Sequence, residues 1–239
     1  RSTHGVSSAA SDVYKRQTHD AAVAASRATL DAADRQAALQ KDLAVLVPAW
    51  QDTRKGMLRG GDGTDAAALR AMSEAEAQAL LGTASKAGDV EGMQRAEAAG
   101  ADVRAAVYYS HDGSMRGGTC TAAYVAARHN HGGGLRFLVG ACGVDPNAVC
   151  DTAYRSTPIH AACYDGNTDA VTVLLALGAD PTVADKGGYP PCMRAAIYSG
   201  SVPCLRALAA GGPGGALGDA VNALSTVSYT HLRAHETDS

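Results

Sequence analysis

Residues 157–180 read TPIHAACYDGNTDAVTVLLALGAD, and this stretch decides the fold. Thr157 suits a helix N-cap, and Pro158 suits the first helical position, where its missing N–H costs nothing. A short helix then runs to a stop at Gly166. Beyond it Ala170, Val171, Val173, Leu174, Leu175 and Leu177 recur at helical spacing for about three turns. A second stop falls at Gly178, 12 residues after the first, followed by Asp180 and an extended segment. The stretch predicts helix, turn, helix, extended loop.

The same spacing extends along the chain. GADVR (Gly100–Arg104) aligns with GVDPN (Gly143–Asn147) and GADPT (Gly178–Thr182), and the pair Gly211–Gly212 gives a fourth match. Gly143 to Gly178 is 35 residues and Gly178 to Gly212 is 34; Gly100 to Gly143 is 43, an insertion of about ten. Gly88, Gly166 and Gly200 each precede a second stop by 12 residues, and Asn130 precedes Gly143 by 13. Asn is the best substitute for Gly at such a stop because it tolerates the left-handed conformation. The Thr-Pro pair becomes Thr121-Ala122 in one unit and Pro191-Cys192 in another. The first unit has Ala79-Leu80 there. Its helix is expected to start earlier, at a capping box formed by Ser73 and Glu76 ahead of Leu80 and Leu81.

Residues 157–180 resemble the ankyrin repeat, and Thr-Pro-Ile-His-Ala-Ala is a form of its TPLHxA signature. The resemblance covers roughly residues 79–212. It implies an all-α ankyrin-repeat solenoid of helix-turn-helix units with extended hairpin loops, preceded by an N-terminal helical segment. The expected division is an N-terminal helical cap and linker at 18–61 and the repeat domain at 62–212. The repeats fall near 73–106, 119–150, 155–185 and 188–212, with a partial further repeat at 213–226. The tails 1–17 and 227–239 are set apart. SSAASDVYKRQ (Ser7–Gln17) and VSYTHLRAHET (Val227–Thr237) resemble the translation of sequencing-library adapters, so these tails read as non-native. With no initial Met, the chain reads as a fragment, and the helix-like Ala216–Leu224 reads as the start of another unit.

A repeat unit exposes apolar surface to both neighbours, so stacking supplies its stability. Ala126-Ala127, Ala161-Ala162 and Ala195-Ala196 are expected to let inner helices approach closely. Leu174, Leu175 and Leu208 are expected to pack inward from outer helices. In the flank, Leu39, Leu43 and Leu46 follow helical spacing, as do Val23 and Leu30, and the helix of Thr18–Val47 is expected to end at Pro48. It reads as a cap on the array ahead of the alternative, pairing with a partner helix, with Gly56–Gly63 as a flexible joint.

Binding residues follow from the alignment. Two positions before each first stop stand Lys86, Arg128, Tyr164 and Tyr198, a row that runs from basic to aromatic. The resemblance implies that this row lies on the concave face, where ankyrin arrays usually bind. Tyr offers a rigid surface with a polar tip and is enriched at hot spots. The partner expected is another protein, with an acidic portion near Lys86 and Arg128 and an apolar portion near Tyr164 and Tyr198. The loop tips add Asp151, Tyr154 and Arg155 in one finger and Asp185, Lys186 and Tyr189 in the next. The insertion Tyr108–Gly118 adds Tyr108, Tyr109, His111 and Asp112.

No catalytic constellation, cofactor motif or metal set is read from the chain. The resemblance implies that His160 is structural, bonded to the backbone of a neighbouring loop. His129 and His131 with Cys142 make too small a set for zinc, which takes about four ligands. Gly132-Gly133-Gly134 lacks the Lys-Ser/Thr of a phosphate loop and reads as an extended turn between helices. A formal net charge of -3 argues against nucleic acid or a membrane surface as partner. Six cysteines without a CxxC pair, in a chain with no secretory signal, read as reduced core thiols of an intracellular protein, cytoplasmic or nuclear. The function expected is a non-catalytic protein–protein interaction scaffold. The alternative is the targeting module of a larger enzyme or channel, such as a ubiquitin ligase, kinase or methyltransferase.

Overall fold

The computed structural model describes residues 34, 37–59, 66–109, 118–151 and 154–211. It begins with α1 (residues 37–59). There follow α2 (Ala66–Ala71), α3 (Glu74–Ala87), α4 (Val90–Ala98), β1 (Ala106–Tyr109) and β2 (Gly118–Thr121). Then come α5 (Ala122–Arg128), α6 (Gly132–Leu135), α7 (Pro158–Asp165), α8 (Thr168–Ala176), α9 (Pro191–Arg194) and α10 (Val202–Gly211). Helices α6 and α9 continue as wider π-helical turns over Arg136–Ala141 and Ala195–Ser199.

From α3 onward the helices pair as α3–α4, α5–α6, α7–α8 and α9–α10. The inner members α3, α5, α7 and α9 touch in sequence, as do the outer members α4, α6, α8 and α10. This is the all-α solenoid that the resemblance implies. Its stops stand where the ruler puts them. Gly88, Gly100, Gly143, Gly166, Gly178, Gly200 and Asn130 all have φ between 60° and 102°. Gly211 is the last residue of α10, and Gly212 lies outside the described residues.

The departures from the ruler have a direct structural meaning. Asn130 to Gly143 is 13 residues, where the neighbouring units have 12, and the π turn Arg136–Ala141 lies between them. Thr121 to Asn130 and Thr157 to Gly166 are both 9 residues, whereas Pro190 to Gly200 is 10, and the π turn Ala195–Ser199 lies there. In each case one extra residue is held inside the helix as a widened turn, and the stop after it keeps its place.

Caps form as the residue types require. The Ser73 hydroxyl accepts from the Glu76 N–H at 3.3 Å, and the Glu76 carboxylate accepts from the Ser73 N–H at 2.8 Å, closing the capping box. Thr121 caps α5 without a proline, accepting from the Tyr124 N–H at 3.2 Å. Asn130 does more than turn the chain. Its side-chain carbonyl accepts from the Ala170 N–H at 3.0 Å in the next unit's outer helix. Asn167 answers in the opposite direction, donating to the carbonyls of Ala127 and Arg128 at 3.1 and 2.8 Å.

The core is continuous through the stack. Ala126, Ala127, Ala161, Ala162 and Ala195 are fully or nearly fully buried, as are Leu174 and Leu208, while Leu175 is half-buried against the core. All six cysteines are free, five of them buried and Cys142 half-buried.

Three expectations need correction. The helix does not end at Pro48 but runs from residue 37 to residue 59. Leu39, Leu43, Trp50 and Met57 share one buried face across the proline, and Trp50 meets Phe137 edge-on at 5.1 Å. Burying these side chains outweighs the roughly 3 kcal/mol that an interior proline costs. The joint expected at Gly56–Gly63 therefore does not begin at Gly56, which is helical; residues 60–63 lie outside the described set. Gly132-Gly133-Gly134 is not an extended turn but most of α6. A Cβ on Gly134 would lie 2.7 Å from the Met93 Cε, and one on Gly133 or Gly132 would touch Val90 or Val173 at 3.4 Å. Only Gly134 is pressed by a neighbour; at Gly132 and Gly133 a Cβ would make ordinary contact with the outer helices on either side.

The insertion begins and ends as an antiparallel pair with the register Ala106–Thr121, Val107–Cys120, Tyr108–Thr119 and Tyr109–Gly118. His111, Asp112, Val23, Leu30, Ala216–Leu224 and both adapter-like strings lie outside the described residues.

Candidate functional site

Inner helices α5, α7 and α9 each bring a polar or aromatic side chain to one face. Arg128 closes α5, Tyr164 lies in the last turn of α7, and Tyr198 stands in the π turn after α9. The Arg128 guanidinium lies 5.0 Å from the Tyr164 ring centroid, and the Tyr164 and Tyr198 rings stack at 4.5 Å. Three of the four row residues are thus one continuous surface. Arg128 also ion-pairs with Asp165 at 3.2 Å. Lys86 is exposed at the end of α3. Its carbonyl accepts from His131 at 3.0 Å, and its charge reaches His129. The His129 imidazole is held below its ordinary range, first by burial, then by His131, Lys86 and Arg128.

The row joins a second cluster that sequence reasoning missed. Arg194 is only 3% exposed, yet its guanidinium lies 4.9, 5.1 and 5.0 Å from the ring centroids of Tyr154, Tyr189 and Tyr198. Three phenol rings around one guanidinium form a cation–π cage already filled by the chain's own cation. The charge is balanced by Asp185. Its Oδ2 accepts from both Nε (2.6 Å) and Nη2 of Arg194, and its Oδ1 accepts from the N–H groups of Gly187 and Tyr189 at 2.8 and 3.2 Å. Burial works to raise the Asp185 carboxyl, but the bonds from Arg194, Tyr189 and Gly187 outweigh it and hold it below its usual range. Asp185 was expected at an exposed loop tip; it is buried because it carries Arg194.

A lone arginine in the apolar run PCMRAAIY was the available signal, since a buried charge requires a partner. Tyr124 was missed too. It stands three residues after its N-cap Thr121, as His160 does after Thr157. Burial pushes its phenol up to about 12, against the pull of Arg128.

His160 is held as the resemblance implied. Its Nδ1 accepts from the Thr157 backbone N–H at 3.3 Å and lies 2.8 Å from the Thr157 hydroxyl. Its Nε2 therefore carries the proton and donates to the Tyr189 carbonyl at 3.1 Å. Burial keeps the imidazole below its ordinary range. Lys186 N–H donates to the Tyr154 carbonyl at 2.9 Å, tying the two fingers together.

These groups enclose a cavity of about 160 Å³. Tyr124 and Arg128 of α5, His160, Ala161 and Tyr164 of α7, Arg194 and Tyr198 of the last unit, and Tyr154 and Ser156 of the finger line it. Tyr154 is 58% exposed at its mouth. Arg155 is exposed at a left-handed turn of φ 48°. Tyr108 and Tyr109 lie on β1, in the insertion.

Among the described residues no group of three or more His, Cys, Asp or Glu is placed to hold a metal ion. No described helix is long and apolar enough to cross a membrane. No curated protein matches the chain. Residues 122–215 match the family model for ankyrin repeats in three copies, and the solenoid they belong to is an ankyrin-repeat fold.

Proposed function

We propose that this chain is a non-catalytic scaffold that grips a segment of another protein on the face built by Arg128, Tyr164 and Tyr198. Ankyrin repeats are generally protein–protein interaction modules. The observation that carries the reading here is the joined Arg–Tyr surface across three successive units, with Tyr154 and Tyr189 above it. Exposed, mutually braced tyrosines lose little side-chain freedom on binding, which is why such residues dominate interfaces. Lys86 extends the row, and Arg155, Tyr108 and Tyr109 belong to the fingers beside it. Six free cysteines support an intracellular setting, cytoplasmic or nuclear.

The test is selection of binders from a displayed library of random dodecapeptides. Selected peptides are expected to lose about tenfold or more in affinity when Tyr164 and Tyr198 are both changed to Ala. Peptides that bind wild type and the double variant equally, or a library that yields no binder, would overturn the reading.

A further inference from the structure

The pocket in the Arg–Tyr surface has a charge pattern that narrows its occupant. Resting on the interaction reading above, we propose that it takes one carboxylate side chain, Asp or Glu, from the partner segment. Arg128 and Arg194 are the charged side chains of its lining; the carboxylates that balance them, Asp165 and Asp185, are not part of it. Two ion pairs thus turn their positive ends toward one small space. The Arg194 side chain is 4% exposed, and a charge so removed from water interacts more strongly with an incoming anion. Tyr124, buried beside Arg128 with its phenol neutral, adds an O–H donor. Guanidinium groups and phenols together match a carboxylate's planar acceptors.

The size and the charge balance favour one carboxylate over a phosphate. About 160 Å³ admits a carboxyl group with its methylenes, which lie against the stacked Tyr164 and Tyr198 rings. Each arginine already faces one aspartate, so the cavity offers oriented ion pairs and not two full surplus charges. A dianion would have more charge to desolvate than these oriented pairs offset, whereas a single carboxylate has less to lose and matches the guanidinium and phenol donors.

The experiment titrates the whole chain with Ac-Ala-Glu-Ala-amide, its Gln counterpart and inorganic phosphate, following the arginine Nε–Hε resonances. The Glu peptide is expected to shift the Arg128 and Arg194 signals saturably, with a Kd on the order of millimolar. The Gln peptide and phosphate are expected to bind at least about tenfold more weakly. Arg128→Gln is expected to remove the preference for Glu over Gln, and Lys41→Gln, on the exposed side of α1, to keep it. Arg128→Lys, which keeps the charge, serves if the first variant unfolds, and is expected to retain part of the preference. Equal binding of the Glu and Gln peptides, or no shift at the two arginines, overturns the proposal. If dodecapeptides still depend on Tyr164 and Tyr198 but tolerate every Glu→Gln change, this inference alone falls and the scaffold reading stands.

Discussion

Two neighbouring units do the same structural work by different means. The unit from Thr157 to Gly178 follows the ankyrin signature. Thr157 and Pro158 start α7, His160 ties that start to the Tyr189 carbonyl, and α8 presents regular apolar spacing. The unit from Thr121 to Gly143 has no proline after its cap, Tyr124 where the other has His160, Asn130 for the glycine, and a glycine triplet running into a π turn. Both bury their helices. The difference teaches that a signature is one sufficient set of local solutions. Stacking supplies most of the stability, and it accepts any residue that satisfies the backbone and fills the space.

The largest expected effect comes from the ion pair that the signature unit's hairpin supports. Asp185→Ala leaves the Arg194 guanidinium buried without its carboxylate and is expected to cost about 3–5 kcal/mol in urea unfolding. A loss below about 1 kcal/mol would mean that the three tyrosine rings alone satisfy Arg194. Leu174→Ala, in the regular α8, is expected to cost about 2–5 kcal/mol as a cavity opens. A melting temperature that did not move would place Leu174 outside the core. The counterpart in the irregular unit runs the other way. Gly134→Ala pushes on the buried Met93 methyl but gains helix propensity, so its net cost is expected to be about 1 kcal/mol or less. A neutral result would show that the Met93 methyl, the far end of a flexible side chain, swings aside to make the room.

The smallest effect is one of pH. The folded His160 pKa lies below the ordinary 6.5, so the unfolded chain takes up the proton first and stability falls as the pH drops through that value. Melting temperatures measured from pH 7 to pH 5.5 are expected to decline for the wild type and to decline less for His160→Gln. The equivalent Tyr124 does not titrate in that window, and His129 leaves a residual slope of the same sign. An identical slope in the two proteins would separate His160 from the acid response. Asp185 acts in the same direction but lower, since its depressed carboxyl gives up stability only below its ordinary 3.8.

The solenoid was legible in the sequence because its punctuation is local. A left-handed stop needs Gly or Asn, a cap needs Ser or Thr, and each leaves its mark at a fixed interval. Even the π turns were recorded, as counts of 13 and 10 where 12 and 9 prevail. Other features depend on contacts far along the chain. Pro48 reads as a stop until Trp50 and Met57 are found buried beyond it. The Gly132–Gly134 triplet reads as a turn until Val90, Met93 and Val173 are found on its sides. In the candidate site, equivalent positions located Arg128, Tyr164 and Tyr198. Tyr124 and Arg194 escaped because they hold different places in their units and meet only when the units stack.

The packing of α1 also decides what an optical experiment on this protein measures. Trp50 is the chain's one tryptophan, and it rests on Phe137, the one phenylalanine. Intrinsic tryptophan emission therefore reports the seating of α1 on the Thr121–Gly143 unit and is blind to the far end of the array. Far-ultraviolet circular dichroism weights every helix alike. If the two signals melt at different temperatures, the interval between them times the loss of the N-terminal clasp against the loss of the stack, with no added label.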